Sequence, residues 1–364
     1  MKRCIFLFAV LTQLSTTAQR TSLLGASQWV DSVFASLTRD QKIAQLMIVR
    51  LSSGNATKTE VVFHDKEVEE AIRKYNIGGI CLFQGGPVTQ ANFVNYFQSI
   101  AQTPLMISID GENGVGMRMD SVSFMPRQMM LGAMQDPALV YQYGKVVGAQ
   151  CKRAGIQVNY APVVDINNNP DNPVINDRSF GEDKYKVSSF GVNYMRGLQD
   201  AGVMACAKHF PGHGDTDQDS HKTLPVVNSP RSRLDSTELY PFRQLINAGV
   251  GSVMVAHLDI PALDTTSGLP SSLSKKVVTG LLKVEMGFKG LSFTDALNMK
   301  GVSNYSSPGE IDLHALLAGN DVLLFSGDVF RSPGALHVFS QLHETGNNLP
   351  WYNRSDPVQR ICNL

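Results

Sequence analysis

Apolar residues recur along the chain in eight short runs, at 43–49, 77–83, 104–110, 158–166, 203–210, 250–261, 290–297 and 321–327. The runs are rich in Val, Ile, Leu and Met. That pattern predicts strands buried on both faces, as in a parallel sheet. The spacers carry helical periodicity. Val140, Tyr143, Val147 and Cys151 follow one another at helical spacing, after Asp136-Pro137 as cap and first residue and before Gly155 as stop. Val187, Phe190, Tyr194 and Leu198 repeat that pattern and end at Gly202. A third helix is predicted over 234–248, stopped by Gly249. Strand and helix in alternation mean βα units, and eight of them predict an α/β protein with a (β/α)8 TIM-type barrel. An open doubly wound sheet is the second choice, weakened because no Gly-x-Gly-x-x-Gly follows the first run. After Asp328 the chain turns to Pro, Gly and Asn with one weak helical patch near 336–342, so the closing helix reads as short, irregular or incomplete.

Polar residues gather where the runs end. Asp110 closes the third run, Asp165 lies near the end of the fourth, and Arg178 lies beyond it. Lys208 and His209 close the fifth, His257 and Asp259 the sixth, and Asp295 the seventh. In a barrel these positions converge on the C-terminal mouth, where βα loops hold the reacting groups. The densest stretch is Lys208-His209-Phe210-Pro211-Gly212-His213-Gly214-Asp215-Thr216, followed by Asp219-Ser220-His221. It places one Lys, three His and three Asp within 208–221, behind a strand that holds them.

Composition narrows the setting. Lys2 and Arg3, an apolar run at 4–11 and small residues at 15–18 have the form of a signal peptide cut near Ala18. The run is too short to span a bilayer, so the mature chain is expected to be exported, without a membrane span. The domains expected are a signal at 1–18, a barrel at 19–328 and an atypical tail at 329–364. The formal charge is zero, and loss of the signal leaves 30 basic against 32 acidic residues. Nothing in that balance steers toward nucleic acid or an anionic membrane. Cys81, Cys151, Cys206 and Cys362 remain after Cys4 is removed. No metal-type Cys spacing occurs and no structural disulfide is expected.

The residues allow several chemistries. A carboxylate at the tip of a buried strand is costly unless paired or in use. Asp295 can serve as a nucleophile that forms a covalent glycosyl intermediate. His221, oriented by Asp219 two residues away, can protonate a leaving oxygen. A serine hydrolase would use Ser220, but no Gly-x-Ser-x-Gly elbow is present. Zinc held by His209, His213, His221 and Asp215 is a competing reading, although the spacing matches no closed structural site and no His-Glu-x-x-His helix.

The 208–221 segment resembles the signature of glycoside hydrolase family 3 β-N-acetylhexosaminidases, of the bacterial single-barrel N-acetylglucosaminidase type. The resemblance runs from about residue 28 to 328. It implies Asp295, in Phe293-Thr294-Asp295-Ala296-Leu297, as nucleophile, and His221 as acid/base on a mobile loop with Asp219 as its partner. It implies Lys208 and His209 as sugar-hydroxyl contacts and Asp110 as the carboxylate that grips the non-reducing end. Arg118 takes the family's second binding position, and Arg178, in Asn176-Asp177-Arg178-Ser179-Phe180-Gly181, matches a binding Arg.

The expected activity is therefore a retaining exo-β-N-acetylglucosaminidase acting on peptidoglycan fragments or chitin-type sugars, with no cofactor and no metal. A carbohydrate is the expected partner, the periplasm the expected location, and a monomer the default. Left open are a family 3 β-glucosidase, a phosphorylase, because an imidazole repels phosphate less than a carboxylate does, and a non-catalytic sugar-binding protein.

Overall fold

A computed structural model describes residues 28–54 and 60–327. The expected signal, the tail at 329–364 and Cys362 lie outside the described residues. The strands are β1 (Met47–Arg50), β2 (Ser52–Gly54), β3 (Val61–Phe63), β4 (Gly79–Leu82), β5 (Met106–Ile109), β6 (Val158–Asn159), β7 (Met204–Phe210), β8 (Ser252–Val255), β9 (Leu291–Thr294) and β10 (Leu323–Phe325). Eight of them form one sheet in the order β10-β1-β4-β5-β6-β7-β8-β9, and every pairing in it is parallel. Its edges meet at a single bridge between Phe293 and Val322. The result is a nearly closed (β/α)8 barrel whose β9–β10 seam is thinly sealed.

Each of the eight apolar runs holds one barrel strand. The residues of β4, β5, β8 and β9 are all buried, because barrel side chains on one face and helices on the other exclude water. Burial of each large aliphatic side chain is worth roughly 1.5–3 kcal/mol. The helices Pro137–Arg153 and Lys184–Asp200 stand where periodicity predicts them. Asp136 accepts the Ala138 N–H at 2.9 Å, and Asp183 caps the second helix through Tyr185 and Lys186. Their stops, Gly155 and Gly202, sit at φ 72° and 82°.

Three local expectations need correction. The run 43–49 begins inside a helix, Arg39–Ala44, whose start is fixed by a capping box between Thr38 and Gln41. Ile43 and Ala44 are buried from that helix, and a short apolar run cannot tell the two cases apart. The helix expected over 234–248 is two helices, Arg231–Ser236 and Leu239–Asn247. Pro241 has no N–H to give the Thr237 carbonyl, and its ring would crowd that carbonyl, so the helix breaks there. The antiparallel hairpin β2–β3 was not expected. Ser52, Ser53 and Gly54 carry almost no strand signal.

The shortest barrel strand is β6, and side-chain amides extend its pairing. Asn159 accepts the Gly111 N–H and donates to the Gly111 carbonyl, both at 3.0 Å. Gln128 does the same for Val163, accepting its N–H at 3.0 Å and donating to its carbonyl at 2.7 Å. Each amide stands in for a peptide group of a neighbouring strand.

One buried carboxylate adds to the backbone hydrogen bonds that cross the seam. Asp321 accepts from the Ser292 N–H at 2.9 Å and hydroxyl at 2.8 Å, and from Lys283 Nζ at 2.9 Å. Removing one partner of a buried pair leaves the other desolvated and alone. Asp321→Ala is therefore expected to cost about 3 kcal/mol of stability, read as a lowered denaturant midpoint. An unchanged midpoint would mean that the backbone bonds alone hold the seam.

Candidate active site

The C-terminal mouth of the barrel opens on a cavity of about 320 Å³. Its wall includes seven of the eight residues to which the family resemblance gives a role: Asp110, Arg118, Arg178, Lys208, His209, His221 and Asp295. The eighth, Asp219, stands behind His221. The hairpin strand β2 contributes Ser52, Ser53 and Gly54 to the rim.

Lys208 is the centre of the inner wall and is 2% exposed. Its ammonium lies 2.5 Å from Asp110 Oδ1 and 2.7 Å from Glu112 Oε1. Arg118 pairs with the other Asp110 oxygen and donates from Nε to the Asp110 carbonyl at 2.7 Å. Arg178 grips Glu112 with Nε and Nη2, at 3.0 Å and 2.6 Å. Burial pushes the Asp110 carboxyl up, but the Lys208 and Arg118 cations override it and hold it far below the usual range. Glu112 is likewise held at about 2 by Arg178 and Lys208 against its burial. Lys208 stays above its ordinary value because the two carboxylates outweigh its desolvation. The wall is thus ionised, desolvated and locked in place, with Asp110 turned to the cavity.

His209 is placed by Asp165. One Asp165 oxygen accepts both the His209 N–H, at 3.1 Å, and Nδ1–H, at 2.7 Å. Arg178 Nη2 lies 3.1 Å from His209 Nε2, and an Arg can only donate. Nδ1 is therefore the protonated nitrogen. The Lys208–His209 and Phe210–Pro211 peptide bonds are both cis. The loop after β7 lies so close to the segment after β6 that a Cβ on Gly214 would sit 1.7 Å from the Ile166 carbonyl oxygen. Only glycine fits there.

His213 does not face the cavity. Its Nδ1 lies 2.7 Å from Thr216 Oγ1 and its Nε2 lies 2.9 Å from Ser220 Oγ. The Thr216 hydroxyl gives its one proton to the His213 carbonyl, so Nδ1–H donates to Thr216 and Nε2 accepts from Ser220. Burial lowers the imidazole to about 4, helped by nearby His209.

Asp295 and His221 also line the cavity. Asp295 follows β9 and accepts the Ala296 N–H at 2.8 Å. Burial raises its carboxyl, but the imidazoles of His209 and His257, the Ala296 N–H and Lys208 hold it below the ordinary range. The carboxylate is ionised and aimed at the cavity. His221 is largely exposed, its side chain at 61%. Its N–H and Nδ1 lie 2.9 Å and 2.8 Å from Asp219 Oδ1. That leaves Nε2 without a hydrogen-bond partner among the described residues.

Not every polar strand end converges on the mouth. His257 is buried, with Nδ1 on the Ser272 hydroxyl and Nε2 on the Ala296 carbonyl, so it supports the turn that carries Asp295. Asp259 accepts the Gly268 N–H at 2.9 Å. Asp165 lies behind His209. Glu112 was not identified from sequence, although it stands two residues after Asp110. Nor was Tyr160, which lines the cavity and donates to the Ser108 hydroxyl at 3.0 Å. For a metal, His209 and His213 have both ring nitrogens engaged by the protein. No group of three or more His, Cys, Asp or Glu able to hold an ion occurs among the described residues. Cys81, Cys151 and Cys206 are free and buried.

The chain matches the family model "Glycosyl hydrolase family 3 N terminal domain" over residues 38–364. It is 36% identical over 327 residues to beta-hexosaminidase A of Pseudoalteromonas piscicida, covering 82% of this chain and 54% of that protein. It is 33% identical over 301 residues to beta-hexosaminidase LpqI of Mycobacterium tuberculosis, covering 80% and 74%. A solved family 3 β-N-acetylglucosaminidase from Paenibacillus sp. str. FPU-7 superposes with TM-score 0.81 at 37% identity, covering 90% of this chain and 64% of that one. The chain therefore spans about half of the Pseudoalteromonas protein and under two thirds of the Paenibacillus one.

The neutral, buried His213 makes stability depend on pH. Unfolded, it takes up a proton below about 6.5, and folded only near 4. The unfolded chain binds more protons in that window, so this contribution is complete above about 6.5 and is lost as pH falls toward 4. Buried Asp312, raised to about 8 by desolvation, acts with the opposite sign across the same range. The wild type minus a His213→Asn variant isolates the first effect. Their difference in denaturant midpoint should shrink as pH falls from 6.5 to 4, and a constant difference would contradict a neutral His213.

Proposed function

The chain belongs to glycoside hydrolase family 3, and on that premise we propose that it is a retaining exo-β-N-acetylglucosaminidase. The observation that carries the reading is one cavity lined by two chemically distinct sets of groups. One set is an ionised carboxylate, Asp295, and the imidazole of His221, whose Nε2 has no hydrogen-bond partner among the described residues. The other is a fixed ionic cluster of Asp110, Arg118, Lys208, His209 and Arg178. Hydroxyl groups of a terminal sugar can exchange hydrogen bonds with that cluster, which fixes the ring and its anomeric carbon. Asp295 then attacks that carbon, and the bond to the leaving oxygen breaks as His221 Nε2–H protonates it. Asp219 at Nδ1 stabilises the charged imidazole in the forward step. In the second half, His221 removes a proton from water, and the water oxygen replaces Asp295 on the sugar with net retention.

The substrate class proposed is a terminal β-linked N-acetylglucosamine on peptidoglycan fragments or chitin-type sugars. The names of the two relatives support hexosaminide cleavage, and that of the Paenibacillus structure supports the N-acetyl preference. The pattern of residues 1–18 supports export, with the periplasm as the proposed location.

An aryl β-N-acetylglucosaminide should be cleaved far faster than the matching β-glucoside. Cleavage of the glucoside alone would move the reading to a β-glucosidase, and cleavage of neither by folded protein would point to a sugar binder. Asp295→Ala should lower kcat by at least about 10³-fold, since the covalent route is lost. Retained turnover would end the assignment of Asp295. His221→Ala should slow alkyl or sugar leaving groups by about 10²-fold or more and activated aryl ones much less. Equal losses would rule out an acid role for His221.

A further inference from the structure

One set of buried hydrogen bonds runs from the sugar-facing wall to the loop that carries Asp219 and His221. It begins at His209, whose N–H and Nδ1–H both end on Asp165 Oδ2. The other oxygen of the same carboxylate accepts the His213 N–H at 2.7 Å. His213 Nε2 in turn accepts from the Ser220 hydroxyl at 2.9 Å. Ser220 stands between Asp219 and His221 and is buried, whereas His221 is largely exposed. Asn172 reinforces the root of the loop, donating from one nitrogen to the His213 and Gly214 carbonyls. Beyond the Ser220 carbonyl, which accepts from the Gly301 N–H at 3.0 Å, the side-chain hydroxyl is the direct tie from His213 to the 219–221 turn.

We propose that Asp165, His213 and Ser220 form a positioning relay that links the sugar-gripping His209 to the acid/base pair Asp219–His221. Asp165 fixes two histidines with one rigid planar group. His209 contacts what enters the cavity, while His213 anchors the loop that protonates what leaves it. A shift of the His209 ring must move the Asp165 carboxylate, and with it the backbone donor of His213. The relay touches no substrate atom, so its members are positioning residues. The inference rests on the proposed role of His221 and adds the means by which that exposed side chain is held in register.

Ser220→Ala removes one hydroxyl and keeps the backbone. The test measures kcat and KM of wild type, Ser220→Ala and His221→Ala on N,N′-diacetylchitobiose and on a dinitrophenyl β-N-acetylglucosaminide, with melting curves as folding control. The relay predicts that Ser220→Ala loses about tenfold in kcat on the disaccharide, as expected for a misplaced acid, with less than twofold loss on the dinitrophenyl substrate and unchanged KM. Equal loss on both substrates, or no loss on either, overturns the relay. A leaving-group effect in His221→Ala that is missing in Ser220→Ala overturns the relay and spares the acid assignment. No such effect in His221→Ala removes both. Asp165→Asn tests the other end, because an amide must turn a donor toward one of the two histidines. It should raise KM and reproduce the leaving-group effect, and adding Ser220→Ala to it should cause no further loss on the disaccharide. Fully additive losses would show separate roles. Should Asp165→Asn melt without cooperativity, the Ser220→Ala comparison decides alone.

Discussion

A lysine ammonium cannot be taken out of water without anionic company, and this barrel takes Lys208 almost completely out. The energy of that desolvation dictates much of the site. Asp110 and Glu112 must both be ionised and within contact distance. Two carboxylates that close would repel each other, so Arg118 and Arg178 flank them. Five charged groups from three separate segments are thereby fixed before any ligand arrives. A wall of this kind is preorganised: its dipoles and charges need not reorient when a sugar binds, which is where electrostatic sites gain over water.

The same principle explains the division of labour among the histidines. His209, His213 and His221 occur within thirteen residues and carry the same side chain, yet their surroundings differ completely. His213 is buried between two hydroxyls and stays uncharged. His209 is held by a carboxylate on one nitrogen and an Arg on the other. His221 keeps one nitrogen on Asp219 and presents the other to the cavity. Burial and partner choice, and not residue type, assign one to structure, one to the ionic wall and one to the proposed proton transfer.

The fold was largely legible because buried parallel strands write themselves as short runs rich in apolar residues, and all eight are where such runs occur. The errors lie where apolar content is ambiguous or missing: Ile43 and Ala44 on a helix, Pro241 inside a helical period, and a serine-rich hairpin. The candidate site was legible where residues at strand ends face the cavity: Asp110, Lys208, His209 and Asp295. Its support was not. Glu112 meets Arg178 across 66 positions of chain, and Asp165 meets His209 across 44. A carboxylate's partner at that separation is set by topology, and no local spacing encodes it. Once the barrel is known, the closeness of Glu112 to Asp110 and the place of Asp165 at the end of the fourth run become informative.

The two amide splints beside β6 have a consequence for how such a barrel can vary. A side-chain amide offers one donor and one acceptor, like a peptide unit, but hangs on a tether of one or two methylenes. Asn159 and Gln128 therefore let neighbouring backbones part while every polar group stays satisfied. The bore of the mouth is uncoupled from the length of the ladder beneath it. A lineage could widen or narrow the opening by exchanging tethers at these two positions, leaving the foundation of the barrel untouched.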